Sequence, residues 1–259
     1  MKEKGKKAYL WIAISILFYV ALIGLWYLVY VIGVEKMNLW KPYAFPSPTG
    51  VWETLKRLIE SRELIEAVIS SLLLGLTGYV IAVLLGGIFG LVFVFVPVIS
   101  KLLRPIFMGI QTLPSVCWVP FAILWFGLEK EAVLFVVVMG AAFGISLSVE
   151  SSIANISPIY VKAAKTMGAK GSTLFFRVVL PASMPQLVSG LRQGWSFAWR
   201  ALMSGEVMTA SAGLGYTLMM GRSMADINQV TLVILVIIIV GVVIDKCFFQ
   251  FIENKVKYQ

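Results

Sequence analysis

The segment S-P-I-Y-V-K-A-A-K-T-M-G-A-K-G-S-T-L-F-F-R-V-V-L-P-A-S-M-P, from Ser157 to Pro185, is the most polar and basic interior part of a chain otherwise built of apolar runs. Ser157 is a favourable N-cap, and Pro158 suits the first helical position, where its missing N–H would have no partner in any case. Gly168 can adopt the left-handed conformation that ends a helix. Small and apolar residues recur at helical spacing between them: Tyr160, Ala163, Ala164 and Met167. We therefore predict a short amphipathic helix that docks on another protein.

The composition is that of a membrane protein. Of the 259 residues, 59% are hydrophobic and 14% are charged, whereas a soluble domain carries about 25% charged residues. Several apolar runs reach the length of about 20 residues that a bilayer-crossing helix needs. We predict an all-α, polytopic membrane protein of about six transmembrane helices, forming a single domain over residues 1–259. Its parts would be an N-terminal span with an external amphipathic segment (1–64) and a core (65–259).

The net charge of +9 does not indicate nucleic-acid binding. Lysine and arginine concentrate in the tails and short loops, as the positive-inside rule expects for a chain in a lipid bilayer. The chain has no histidine, and both Cys117 and Cys247 stand in apolar surroundings. The sequence therefore predicts neither a metal site nor a disulfide framework.

The charge distribution predicts a topology with both termini in the cytoplasm. The predicted spans are residues 8–33, 65–98, 105–126, 132–152, 185–208 and 230–249. The third span is interrupted by Pro114 and Pro120 and carries Gln111 and Thr112, and such broken polar helices are tolerated where they line a cavity. An amphipathic stretch at residues 51–64 is predicted to lie on the outer surface of the bilayer.

The fifth span contains Arg192, Arg200 and Glu206. Arg192 and Arg200 lie near one helical face, about 12 Å apart along the axis. An arginine at the bilayer centre costs about 2.5–3.5 kcal/mol, so it usually faces a cavity and is functional. We predict a substrate path that includes Gln111, Thr112, Arg192, Gln193, Ser196, Trp199, Arg200 and Glu206.

Arg200 is predicted to attract an anion on that path. For Arg192, anchoring of the side chain near the cytoplasmic end is an alternative to contact with substrate. A third interpretation is that internal salt bridges stabilise the helix bundle and account for all the buried charges.

The segment from Lys162 to Pro181 has the pattern K-A-A-x-x-x-G-x9-V-x-L-P. It resembles the E-A-A-x-x-x-G-x9-I-x-L-P loop of bacterial ABC importer permeases. Val178 replaces isoleucine conservatively, and Lys162 replaces glutamate with reversed charge. Three other segments resemble the nitrate, sulfonate, taurine and bicarbonate branch of that family: P-S-P-T (46–49), L-P-S-V-C-W-V-P (113–120) and G-L-G-Y (213–216).

The resemblance implies a type I ABC importer permease-like fold in the bacterial inner membrane, with a cytoplasmic coupling loop at residues 153–184. The residues implied in coupling to the ATPase are Lys162, Ala163, Ala164, Gly168, Leu180 and Pro181. The implied partners are a cytoplasmic ATP-binding subunit dimer, a second permease copy in a homodimer and an external substrate-binding protein.

The resemblance also implies a transport subunit rather than an enzyme, with no cofactor in this chain. ATP and Mg²⁺ would bind the partner, because G-A-K-G-S-T (168–173) lacks the spacing of a phosphate-binding loop. The expected activity is alternating-access import of a small anion, an aliphatic sulfonate or taurine-like compound first and nitrate or bicarbonate next. The alternative is a secondary transporter or channel for a small anion, which would not need a coupling helix.

Overall fold

The computed structural model describes residues 2–41, 43–209 and 212–257, without the side chains of 2–13, 254 and 257. The helices are α1 (Lys2–Tyr30), α2 (Pro48–Glu60), α3 (Glu63–Phe95), α4 (Pro97–Gln111), α5 (Val119–Phe126), α6 (Lys130–Ala154), α7 (Pro158–Thr166), α8 (Gly171–Leu174), α9 (Leu180–Met208), α10 (Leu214–Ser223), α11 (Ile227–Ile244) and α12 (Gln250–Lys257). No strand occurs in these ranges, which confirms the all-α class. The terminal residues Met1 and Gln259, predicted to be cytoplasmic, lie outside the described residues.

Within the described ranges, five helical segments are long and apolar enough to cross a membrane: Ile14–Lys36, Glu63–Phe95, Lys130–Ala154, Gly171–Met208 and Ile227–Glu253. A further pair, Pro97–Gln111 and Ser115–Phe126, is bent by 101° and provides a sixth span if it is counted as one. These segments confirm a polytopic protein of about six spans.

The predicted bounds of the third span are wrong. Helix α4 begins at Pro97, so Lys101 and Arg104 lie inside a helix and not in the loop before it. Pro114 has an extended ψ of 137° and separates α4 from the following turn, whereas Pro120 occupies the first turn of α5. Proline lacks the N–H that a helix interior uses but is accommodated in a first turn, so only Pro114 interrupts the span.

The fifth span is longer than the predicted residues 185–208. The helical run extends from Gly171 to Met208 through a π-helical turn at Phe175–Val179. Pro181 comes directly after this π-helical turn, and the helical run continues through it. The segment from Gly171 onward is therefore continuous with the arginine-bearing helix.

The chain divides into two compact units, and the first consists of Met1–Leu64 with Leu218–Leu235. In it, the Ser47 hydroxyl accepts a hydrogen bond from the Gly50 N–H (3.0 Å) and caps α2. Val51 and Leu58 on the apolar face of α2 are buried. The prediction that this face lies against lipid is therefore wrong for these two residues, because the protein itself covers them.

The second unit consists of Ile65–Thr217 with Val236–Gln259 and contains the candidate site. Helices α6 and α9 pack together here through small residues that allow close approach. A Cβ atom on Gly194 would lie 2.5 Å from Ile145, and one on Gly140 would lie 2.7 Å from Ala201. The predicted subdivision is 1–64 and 65–259, whereas the structure groups Leu218–Leu235 with the first of these parts. That the whole chain forms a single functional domain stays a prediction.

Candidate functional site

Helix α9 has two contrasting faces. One face is buried and packs in the core: Gly194, Trp195, Ala198, Ala201 and Leu202. The other carries a stripe of exposed polar residues at helical spacing: Gln186, Ser189, Gln193, Ser196 and Arg200. Because polar side chains are costly against lipid, such a stripe indicates a surface that faces water or another protein.

A cavity of about 420 Å³ lies beside this stripe and is called the Arg200 cavity here. The C-terminal end of α4 contributes Gln111 and its C-cap residue Thr112, while α9 contributes Arg200. The remaining lining residues are Ile110, Leu113, Pro114, Ser115, Met139, Gly140, Phe197 and Ser204. The structure thus brings three of the eight predicted path residues together, although their role with substrate stays a prediction.

Among the described residues that line this cavity, Arg200 supplies the only charge. Its Nε–H donates to the Ser196 carbonyl oxygen (3.1 Å), and its guanidinium carbon lies 5.1 Å from the centre of the Phe197 ring. Within the part of the chain that the structure describes, no carboxylate lies within 4 Å of this guanidinium. The cavity is therefore electropositive and offers unused N–H donors to an anion.

Polar side chains complete the lining. The Thr112 hydroxyl donates to the Gly109 carbonyl oxygen (2.6 Å), which leaves its oxygen able to accept. The Ser115 and Ser204 hydroxyl oxygens lie 3.3 Å apart and link the turn after α4 to α9. The polar groups around Arg200 thus come from three helical segments: the end of α4, the turn at Ser115–Trp118 and α9.

Arg192 has a different environment, a cluster of opposite charges. Its Nε and Nη2 donate to the two carboxylate oxygens of Asp245 (2.6 Å each), and its Nη1 donates to Glu253 (2.8 Å). Gln193 and Ser196 line the same shallow cavity as Arg192 and Asp245. The structure therefore favours an internal salt bridge at Arg192, while Arg200 has none among the described residues.

Glu206 is fully buried and does not line the Arg200 cavity. Its carboxyl oxygens accept from the Ser71 hydroxyl (2.7 and 2.8 Å) and from the Gly215 N–H (2.9 Å). The Leu214 N–H in turn donates to the Ser71 hydroxyl oxygen (2.8 Å). Glu206 and Ser71 thus cap the first turn of α10, where backbone N–H groups have no helical partner.

Trp199 is also buried, away from the polar stripe. It stacks on Trp195 with ring centres 5.9 Å apart, and its indole lies beside Gly241. The structure assigns this predicted path residue to core packing in the described conformation.

The predicted coupling helix is present as α7. Gly168 has φ +87°, its N–H donates to the Lys165 carbonyl (3.0 Å), and the Ala169 N–H donates to the Ala164 carbonyl (2.9 Å). These two bonds form a Schellman motif, in which a left-handed glycine ends the helix. Ser157 occupies the N-cap position, but its exposed side chain makes no capping bond, which corrects the predicted cap.

Helix α7 presents an apolar surface to its surroundings. Ala164 is buried against the chain, whereas Lys162 and Ala163 are exposed and Met167 is 88% exposed. The large side chains of Ile159 and Tyr160 are also exposed. An exposed apolar surface on a short helix is typical of a protein interaction site.

The two other residues predicted to take part in coupling lie at the start of α9. Leu180 is half-buried there, and Pro181 is exposed.

Several lining residues were missed by the sequence reasoning. Ser204 lies four residues after Arg200 on the same helical face, so helical spacing could have found it. Three other lining residues belong to apolar runs, and nothing in the sequence distinguishes them as cavity residues: Met139, Gly140 and Phe197. Only the packing of α6 on α9 brings them to the cavity.

Comparisons with known proteins agree with this architecture. Residues 78–258 match the family described as binding-protein-dependent transport system inner membrane component, which is more than half of the chain. A protein described as an ABC transporter permease from Methanocaldococcus jannaschii is 35% identical over 156 residues, covering 60% of this chain and 55% of that protein. SsuC of Bacillus subtilis, described as an aliphatic sulfonates transport permease, is 27% identical over 254 residues, covering 98% and 90% of the two chains.

A solved structure, described as an amino acid ABC transporter with histidines, is similar with a TM-score of 0.65 at 13% identity. The match covers 78% of this chain and 97% of the solved chain. This likeness confirms the type I ABC importer permease-like fold. The relatives are permeases, so the chain is a multi-pass transport subunit and not an enzyme. The match over residues 78–258 shows that the chain belongs to the inner membrane components of binding-protein-dependent transport systems.

Proposed function

We propose that this chain is the permease subunit of an ATP-driven importer that translocates a small anion by alternating access, with an aliphatic sulfonate as the first choice. The observation that carries this proposal is the Arg200 cavity, whose described lining residues include one cation and no carboxylate. Its volume of about 420 Å³ falls in the range of about 300–1,000 Å³ that is usual for small-molecule sites.

The chemistry of the cavity suits an oxyanion. With its Nε–H bonded to a backbone carbonyl, Arg200 keeps the N–H groups of both terminal nitrogens for the oxygens of a ligand. The Gln111 amide and the Ser115 hydroxyl also line the cavity and can supply neutral donors. Nitrate and bicarbonate could use the same donors, and the name of the Bacillus subtilis relative favours a sulfonate.

The partners follow from the same surfaces. We propose that α7 docks on a cytoplasmic ATP-binding subunit dimer, which binds the ATP and Mg²⁺, and that both chain termini face the cytoplasm. A second copy of this chain would cover the polar stripe of α9 in a homodimer, and an external binding protein would deliver the anion. Because Lys162 is a cation, the groove that receives α7 should offer an acidic or neutral contact there.

Replacing Arg200 with glutamine should lower uptake of radiolabelled ethanesulfonate about 10- to 150-fold in proteoliposomes that contain the complete importer. The reason is the loss of hydrogen bonds to a charged group, which contribute about 1.5–3 kcal/mol, and each 1.4 kcal/mol is a factor of about ten. The Arg200→Lys variant keeps the charge but not the planar guanidinium group. Its uptake rate should therefore lie between that of the unsubstituted chain and that of Arg200→Gln. Nitrate and bicarbonate uptake are measured in parallel to identify the preferred anion.

The matched control is Arg62→Gln, because Arg62 is exposed and lies in the other unit. It should transport like the unsubstituted chain. Wild-type uptake of all three anions by Arg200→Gln would refute the site. Uptake by the chain without an ATPase would instead support a secondary transporter or channel.

Replacing Gly168 with valine should weaken association with the ATP-binding subunit about tenfold or more. A β-branched residue is strained at φ +87°, so the helix end and the exposed surface of α7 would shift. The measurement is co-purification and titration of the two subunits. Gly87→Val is the control, because a Cβ atom there meets nothing within 4 Å. Equal association by both variants would contradict the coupling role of α7.

A further inference from the structure

A second cavity of about 460 Å³ adjoins the first and is called the Arg104 cavity here. It lies between α4 and α6, and it shares Gln111 and Thr112 with the Arg200 cavity. Its other lining residues are Arg104, Met108, Gly144, Leu147, Ser148 and Ser151. The two cavities therefore meet at the C-terminal end of α4, and each contains one arginine.

Arg104 differs from Arg200 in having a carboxylate beside it. Its Nε lies 3.1 Å from Glu150 Oε2, and its side chain is 50% exposed. The other Glu150 oxygen accepts a long bond (3.5 Å) from the Ser100 hydroxyl. In the part of the chain that the structure describes, the terminal nitrogens of Arg104 have no protein acceptor. Their N–H groups can therefore bind a ligand, although Glu150 partly offsets the charge of the guanidinium.

The connection between the cavities depends on Gln111 and Gly144. Arg104 and Gln111 are seven residues apart on α4, which places them on one face about 10 Å apart along the axis. A Cβ atom on residue 144 would lie 3.2 Å from the Gln111 side-chain nitrogen and 3.0 Å from the Phe197 ring. Glycine at 144 therefore leaves room for the Gln111 amide at the junction of the two cavities.

From these contacts we propose that the Arg104 cavity is a second station for the transported anion, reached from Arg200 by way of Gln111 and Thr112. This proposal rests on the proposed function and extends it to the order of steps. Arg200, which has no carboxylate partner among the described residues, attracts the anion. The Arg104–Glu150 pair, whose charges offset each other, holds it more weakly. A weaker second station lets the anion leave, as a conduction path with several sites requires.

The experiment measures the electrostatic potential at each station without relying on transport. The full-length chain carries Cys117→Ser and Cys247→Ser, and a reporter thiol is introduced as Ser148→Cys in the Arg104 cavity or Met139→Cys in the Arg200 cavity. Two thiol reagents are compared, the anionic 2-sulfonatoethyl and the cationic 2-trimethylammonioethyl methanethiosulfonates. The readout is the ratio of their reaction rates, since like charges are excluded and opposite charges concentrated in a charged cleft.

With the reporter at position 148, Arg104→Gln should lower the anion-to-cation ratio about tenfold, and Glu150→Gln should raise it. Arg104→Lys should retain most of the unsubstituted ratio, which separates charge from misfolding. With the reporter at position 139, Arg200→Gln should lower the ratio and Arg104→Gln should change it much less.

Two outcomes would overturn the second station. One is a ratio at position 148 that Arg104→Gln leaves unchanged, and the other is a position 148 that neither reagent modifies. Because these readouts need neither the ATPase nor the true substrate, they can fail while the Arg200 transport test succeeds. Normal uptake by Arg200→Gln, in contrast, would refute the proposed function itself.

Discussion

Replacing Glu206 with alanine is expected to destabilise the folded chain by about 2–5 kcal/mol, because it removes the acceptor that two buried donors share. The Ser71 hydroxyl and the Gly215 N–H both donate to this carboxyl group, which is fully buried. The loss should also free the first turn of α10 from α3 and α9. The measurement is the free energy of unfolding, or the midpoint of thermal unfolding, of the purified chain in detergent.

Two further variants test this explanation of the Glu206 effect. Glu206→Gln keeps the size and one acceptor oxygen, so it should retain part of the stability. Gln186→Ala removes an exposed polar side chain from the same helix and should leave the unfolding midpoint unchanged. If Glu206→Ala were as stable as Gln186→Ala, the cap on α10 would contribute nothing to the fold.

Replacing Gly86 with leucine is expected to cost about 3 kcal/mol, because α3 and α6 pack too closely for a side chain there. A Cβ atom on Gly86 would lie 2.7 Å from the Ala142 carbonyl oxygen and 2.8 Å from the Ile145 Cβ. Neither atom is at the end of a flexible side chain, so the helices themselves would have to move apart. The expected result is a lower unfolding midpoint and a lower yield of monodisperse protein.

The adjacent glycine provides the matched control. A Cβ atom on Gly87 meets nothing within 4 Å, so Gly87→Leu should be stable and should gain helix propensity of up to about 1 kcal/mol. Comparable losses in the two variants would show that the packing of α3 on α6 does not limit the stability.

The coupling segment shows how far local sequence reasoning reaches. The spacing from Ser157 to Gly168 predicted α7 and its left-handed end, and both are present in the structure. Such features depend on residues a few positions apart, where capping, proline geometry and the conformational freedom of glycine dominate. The Ser157 side-chain bond was predicted wrongly because an exposed hydroxyl has water as an alternative partner.

The partners of the charged residues in the fifth span could not be predicted from local sequence. Their placement in an apolar helix was evident from the chain, but their partners were not. Arg192 pairs with Asp245, 53 positions away, and Glu206 bonds to Ser71, 135 positions away. The packing of helices that are distant in the sequence determines these partners. The periodicity within one helix contains no information about which helices pack together.

By itself, the sequence determined that this chain is an all-helical membrane protein with a short helix after Ser157 and charges in its fifth span. Apolar length, charge placement and short-range spacing are local properties and can be read directly. Only the tertiary structure decided that Arg200 faces a cavity with Gln111 and Thr112 while Arg192 is neutralised. The physical reason is that a carboxylate of the fold offsets the charge of an arginine, and the packing of distant helices determines which arginines have such a partner.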